Sequence, residues 1–445
     1  MNLLEAVYSA LRLPELRNKL IFTGGILVAF RLFANISIPG ANAAALSNLF
    51  SGQALLGLLD LFSGGGLSSF SVVAMGVNPY INASIIMQLM TVVSERIKEI
   101  SKEGEAGRRR ITRYTRYLTV ALAIAQSYGI TILFQNEPTN SPILSANMDW
   151  FQRLAIMLTM TGGTVLLMWF GELITEYGIG NGISLIIFAG IIGRAPSTIY
   201  SAVASQSGSG IAGYLPIIAL VAIAIIAIAF VIEVQQAVRK IPIQSAQRLT
   251  GGRTVQGRQS FLPLRVNQAG VIPIIFAISI MTFPVIISSY FKGAPTSSWY
   301  YHAATWIASN FTPNGPNLAT TIAYNLIYFG FIFGFTYFYT AVTFDVSDVA
   351  DNLRRYSSFI PGIRPGRPTA DYLGAVMNRI TFAGAIFLGV ITVLLPILAS
   401  KVSTIPTTQM YLGGTALLIV VGVALDTMKQ LETQLVMRQY RGFIR

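Results

Sequence analysis

A chain of 445 residues that is 53% hydrophobic and 11% charged, with a mean hydropathy of +0.60, is too apolar for an ordinary soluble domain and fits a polytopic membrane protein. The absence of cysteine and the single histidine, His302, exclude disulfides and thiolate or Cys/His metal sites. A net charge of +13 fits a membrane protein with many basic inner loops, and equally a surface that attracts an anionic partner.

Residues 1–19 carry Glu5, Arg12, Glu15, Arg17 and Lys19 without a small-residue cleavage site, so they read as a retained cytoplasmic segment. Apolar stretches of spanning length predict ten membrane helices, at 20–38, 72–93, 114–134, 153–173, 183–200, 215–234, 269–291, 318–342, 376–399 and 408–426. An even number places both termini on one side. Between the first two spans, Leu55, Leu56, Leu58, Leu59 and Phe62 make a short apolar helix ahead of Ser63-Gly64-Gly65-Gly66, whose glycines supply a hinge. By itself this run also reads as a helix lying at the membrane interface. The second span carries Asn78, Pro79, Asn82, Ser84 and Gln88; unpaired polar groups in hydrocarbon are costly, so it faces protein or a water-filled cavity.

Arg96, Lys98, Lys102, Arg108, Arg109, Arg110 and Arg113 follow it, and Gln126 and Ser127 lie in the third span. The loop 172–182 has Glu172 and Glu176 but no Lys or Arg, and Gly178-Ile179-Gly180-Asn181-Gly182 reads as a tight turn, lacking the spacing of a phosphate loop. Arg153 and Arg194 stand at span edges. Arg239, Lys240, Arg248, Arg253, Arg258 and Arg265 separate spans six and seven, with Asn267 and Gln268 at the mouth of the seventh and Ser279 and Thr282 within it. Arg354, Arg355, Arg364 and Arg367 join spans eight and nine, and Arg438, Arg441 and Arg445 close the tail. The positive-inside rule makes these basic loops and both termini cytoplasmic. Their density suits lipid headgroups, ribosomal RNA phosphates or an acidic protein, and a solvated basic loop explains any one of them equally well.

Apart from Arg31, near the outer end of the first span, no Asp, Glu, Lys, Arg or His falls in the interior of a predicted span. Ion-coupled transporters, proton pumps and intramembrane proteases depend on such groups. The polar residues at depth are uncharged, and each taken singly reads as an ordinary helix-pairing contact. Concentrated in spans two, three and seven, they suggest an interface that both closes and parts.

Taken together, Leu61 to Leu67, Met75-Gly76-Val77-Asn78-Pro79-Tyr80-Ile81-Asn82, Lys102-Glu103-Gly104-Glu105-Ala106-Gly107-Arg108-Arg109, Gly178 to Ser184, Leu262-Pro263-Leu264-Arg265-Val266-Asn267, Phe359-Ile360-Pro361-Gly362-Ile363-Arg364-Pro365-Gly366 and Gly413-Gly414-Thr415 resemble the bacterial SecY family, the channel-forming subunit of the preprotein translocase. The resemblance implies an all-α polytopic membrane protein: ten transmembrane helices in two inverted pseudo-symmetric halves, spans 1–5 and 6–10, around an hourglass pore with a short plug helix. It divides the chain into a cytoplasmic segment 1–19, an N-terminal half 20–200 with the plug at about 55–67, an external linker 201–214, a C-terminal half 215–426 with basic loops at about 235–268 and 343–372, and a cytoplasmic tail 427–445.

It also implies residue roles. Val77, Ile81, Ile183, Ile187, Ile275 and Ile419 take the pore ring, although in isolation they read as core or lipid-facing aliphatics. Asn78 departs from the more apolar residue expected beside the ring. Leu58, Leu59, Phe62, Gly64, Gly65 and Gly66 take the plug. Ser84, Gln88, Gln126, Ser279 and Thr282 take a lateral gate between spans two and three on one side and seven and eight on the other. Arg364, then Arg248, Arg253 and Arg258, take the docking surface for a SecA ATPase or a ribosome. The implied partners are SecE-like and SecG-like subunits, SecA, the ribosome with contact to its RNA, signal sequences and membrane lipids, with no DNA, cofactor, metal or catalytic residue. The expected function is moving unfolded preproteins across the inner membrane and releasing apolar segments sideways. A secondary transporter or small-solute channel is the alternative; a charge buried in a span or a compact substrate pocket would favour it.

Overall fold

The structure is a computed structural model that describes residues 13–42, 45–46, 50, 57, 60, 63–136, 143–144, 148–204, 210–245, 248–250, 253–255, 259–291, 298–311, 317–402 and 413–442. Its helices, in chain order, are α1 (Pro14–Asn35), α2 (Asn78–Val93), α3 (Glu95–Lys102), α4 (Glu105–Asn136), α5 (Trp150–Tyr177), α6 (Gly182–Ala204), α7 (Gly210–Gln236), α8 (Ile272–Tyr290), α9 (Trp299–Asn310), α10 (Leu318–Thr343), α11 (Val346–Arg355), α12 (Arg367–Val402) and α13 (Gly414–Gly442). Each of the ten predicted spans coincides with one of these. Six described helices are long and apolar enough to cross a membrane, and shorter apolar helices fall at Gly182–Ser197 and Ile272–Pro284.

Helix ends depart from the predicted spans in several places, as at α4, α12 and α13, and two of the departures bear on the site. The second span is helical only from Asn78, because Pro79 in the first turn fits a helix start and not its interior. Its 16 residues rise about 24 Å, short of the ~30 Å hydrocarbon layer. Residues 63–77 ahead of it are turns, mostly buried, and are stitched to the end of α1 by Ile38 N–H to the Phe70 carbonyl at 2.8 Å and Val72 N–H to the Ile36 carbonyl at 3.0 Å. Irregular backbone of this kind is tolerated where protein, not lipid, surrounds it. The fourth span runs on to Tyr177, so Glu172 lies within α5 and accepts from Arg116 of α4 at 2.8 Å. The expected glycine turn is then confined to 178–181, with Asn181 Oδ1 accepting the Ser184 N–H at 3.2 Å as a helix cap.

The basic loops are more ordered than solvated coil. β1 (Val238–Ser245) pairs antiparallel with β4 (Gln259–Arg265), and β5 (Ser358–Phe359) adds to the other edge of β1, giving the order β4-β1-β5; β2 (Arg248–Thr250) and β3 (Arg253–Val255) form a separate hairpin. Alternation drives it: Ile241 and Ile243 are buried while Lys240 and Pro242 are exposed. Ile241, Leu264, Ile360, Leu373 and Met377 make a small core of their own, so the two basic loops form one platform. The main core is a single cluster from α1, α2, α5, α6, α7, α8, α10, α12 and α13.

Candidate functional site

The four ring-bearing helices bring the six aliphatics to that main core. Val77 and Ile81, and likewise Ile183 and Ile187, stand four apart, one helical turn on a common face. Val77, Ile81, Ile187, Ile275 and Ile419 are buried members of one cluster, with Ile183 packed against it. At the 178–182 end a cavity of ≈ 590 Å³ reaches Ile275 and is lined by polar side chains including Asn181, Ser184, Gln235, Asn267 and Asp426. Arg265 and Asp426 approach to 3.6 Å across its wall. Along α6 a polar vestibule is thus followed by an aliphatic waist.

One turn further along α6 the glycine-rich segment packs against it. A Cβ on Gly64 would sit 2.8 Å from the Gly190 Cα and from Phe30 Cζ, and one on Gly65 2.5 Å from Arg194 Nε. The turn is therefore packed against α1 and α6 with no room for side chains, and Gly65 holds φ +93°, a region only glycine adopts freely. Of the expected plug residues, Gly64, Gly65 and Gly66 are in this turn; Leu58, Leu59 and Phe62 lie outside the described residues.

The same region holds what sequence reasoning missed. Asp60 is 1% exposed; its Oδ2 accepts from Arg194 Nη1, and its Oδ1 accepts from Ser68 N–H at 2.8 Å and from Ser63 Oγ at 3.3 Å. Arg194 Nη2 also donates to Ser68 Oγ. Arg31 donates through Nη1 to the Gly64 carbonyl and through Nη2 to the Gly193 carbonyl, both at 2.8 Å. Arg194 is not at a span edge but inside α6. The legible signal was a lone acid within Leu58-Leu59-Asp60-Leu61-Phe62. This buried charge is no open transporter site, because its acceptors are filled by the turn and the wall.

The expected gate residues meet only in part. Gln126 of α4 and Ser279 and Thr282 of α8 line a cavity of ≈ 20 Å³ together with Asn78 and Asn82 of α2, which is about the size of one water. Ser84 and Gln88 are not among the residues lining it and bond to one another at 3.3 Å, Gln88 Nε2 donating. Asn78, out of place beside a greasy ring, belongs to this seam. Gln126 Nε2 and Gln88 Oε1 are buried without a protein hydrogen-bond partner among the described residues. α8 packs on both α2 and α4, whereas α10 packs on α8 and α12.

On the platform, Arg364 is exposed in a turn where Gly362 has φ +82° and Thr369 Oγ1 donates to the Arg364 carbonyl at 2.8 Å. Arg248 and Arg253 fall on the β2–β3 hairpin; Arg258 lies outside the described residues. No group of three or more His, Cys, Asp or Glu able to hold a metal occurs among the described residues.

A multi-pass helical membrane protein with an aliphatic cluster between a polar cavity and a glycine-rich turn has the layout of a channel-type protein. The SecY family profile matches residues 71–428. The Protein translocase subunit SecY of Mycobacterium bovis is 44% identical over 458 aligned residues, covering 100% of both chains. The chain belongs to the SecY family, and it is the central pore subunit of a protein translocation channel. Two solved structures share the fold at low identity. One, of a SecY whose plug domain is described as stabilising the closed state of the translocation channel and maintaining a membrane seal, gives TM-score 0.66 at 18% identity, covering 94% of this chain and 92% of that one. The other, Sec61 in a canine ribosome-channel complex from the endoplasmic reticulum, gives 0.63 at 17% with the same coverage.

Proposed function

We propose that this channel works in an inner membrane with both termini cytoplasmic, threading unfolded preproteins through a constriction formed by Val77, Ile81, Ile183, Ile187, Ile275 and Ile419. The observation that carries the reading is that Val77, Ile81, Ile187, Ile275 and Ile419 are buried in one cluster with Ile183 packed against it, between the ≈ 590 Å³ polar cavity and the glycine-rich turn. Aliphatic side chains wet poorly when the path is empty and offer no strong site to hold a passing segment.

Residues 20–200 and 215–426 act as the two inverted halves, which part at the seam holding Asn82, Gln126, Ser279 and Thr282 to release apolar segments into lipid. The glycine-rich turn moves aside when a chain engages. Arg364, with the rest of the basic platform, docks the partner that supplies energy, a SecA-like ATPase or a ribosome; the Sec61 relative sits in a ribosome complex. SecE-like and SecG-like subunits complete the assembly, and the chain has no catalytic activity of its own.

The test is reconstitution in liposomes with SecE-like and SecG-like subunits and a SecA ATPase. ATP-dependent protease protection of a signal-bearing preprotein is expected. Assembled complex that protects none, under conditions where a SecY relative does, overturns the reading.

A further inference from the structure

The Gly-rich turn is held by charge as well as by shape. Asp60, 1% exposed, is fixed on one oxygen by Ser63 and Ser68 and on the other by Arg194. Arg194 comes from α6 and Arg31 from α1, so both guanidiniums belong to the wall, whereas Asp60, Gly64 and Ser68, which accept from them, belong to the glycine-rich turn and its lead-in. Arg194 stands seven positions beyond Ile187 on α6, about 10 Å of rise, so the clamp sits just beyond the waist.

We infer that Asp60, Arg194 and Arg31 form an ionic latch that sets how readily the turn leaves the waist. Removing one member of a buried ion pair leaves an uncompensated charge, which destabilises the closed arrangement far more than the pair itself stabilises it. Displacement of the turn separates the pair into the water that enters with it, so the cost of opening is finite and the latch re-forms on closing. Gly65 and Gly193 are part of the device, since a Cβ on either would meet Arg194 Nε at 2.5 Å or Arg31 Cζ at 2.6 Å. The inference rests on the channel reading above, and adds to it which side chains hold the closed state.

The experiment measures resting ion conductance of the full chain, reconstituted with its SecE-like and SecG-like subunits in planar bilayers, with no preprotein present. D60N and R194Q are each expected to raise resting open probability about tenfold, equivalent to about 1.4 kcal/mol. The double variant should leak no more than the leakier single, because the two act through one pair, and R194K, which keeps the cation, should stay close to wild type. Wild-type conductance in both singles, multiplicative leakage in the double, or R194K as leaky as R194Q overturns the latch. If D60N does not assemble, the R194Q and R194K comparison decides from the wall side. Ile187→Gly separates the two readings: leakage from it with tight latch variants rejects the latch alone, while tight behaviour of the ring variant rejects the channel reading.

Discussion

Gln126 shows how one buried atom biases an interface. Its side chain is 4% exposed and its Nε2 has no protein hydrogen-bond partner among the described residues, so the closed seam keeps a polar group that protein alone does not satisfy, at a cost of up to ~1–3 kcal/mol where no water reaches it. Gln126→Leu removes that cost from the closed seam, so it should tighten the gate: export driven by weakly apolar signal sequences slows several-fold while strong signals are little affected. Equal export of both classes by the variant and wild type would remove Gln126 from the gate. Arg364 presents the opposite case, a charge held outward on a rigid turn. R364E should weaken ATPase docking by about 2 kcal/mol or more, the scale of an interface hot spot, with folding unchanged. A binding titration in which it matches wild type would contradict the docking role.

At the scale of elements, the platform links the two basic loops through β1, and the small core beneath it holds the Arg364 turn in place. Leu264 is 1% exposed in that core, and Leu264→Ala should cost about 2–5 kcal/mol of local stability. Amide hydrogen exchange should then rise across β1, β4 and residues 358–366 while the membrane helices stay protected; unchanged exchange would mean that the loops are independent. The spans were legible in the sequence because apolar length is a local property. The platform was not, because its strands are short and pair residues as far apart as Gln244 and Phe359. The start of α2 at Asn78 could have been read from Pro79, but continuous hydrophobicity from Val72 concealed it. For the candidate site, ring positions were reachable only through resemblance, since single isoleucines carry no local signal. The Asp60–Arg194 pair was invisible because its members are 134 residues apart.

Over the whole molecule, polar and apolar layers succeed one another along a single path. Exposed Arg239, Lys240, Arg354, Arg355, Arg364 and Arg367 crowd the platform, a polar cavity lies within, the aliphatic cluster follows, and the clamped turn lies beyond it. On the proposed channel reading, each layer suits a different stage of passing a chain: attraction of a partner, hydration of a polar segment, exclusion of ions and resting closure. A chain in transit must touch the waist. Because the chain has no cysteine, single cysteines at Ile81, Ile187 and Ile275 can be crosslinked to a preprotein stalled in transit without background. Adducts at all three, and none at exposed Ile225 of α7, are the expected result; a stalled preprotein that reaches none of the three contradicts contact with the waist.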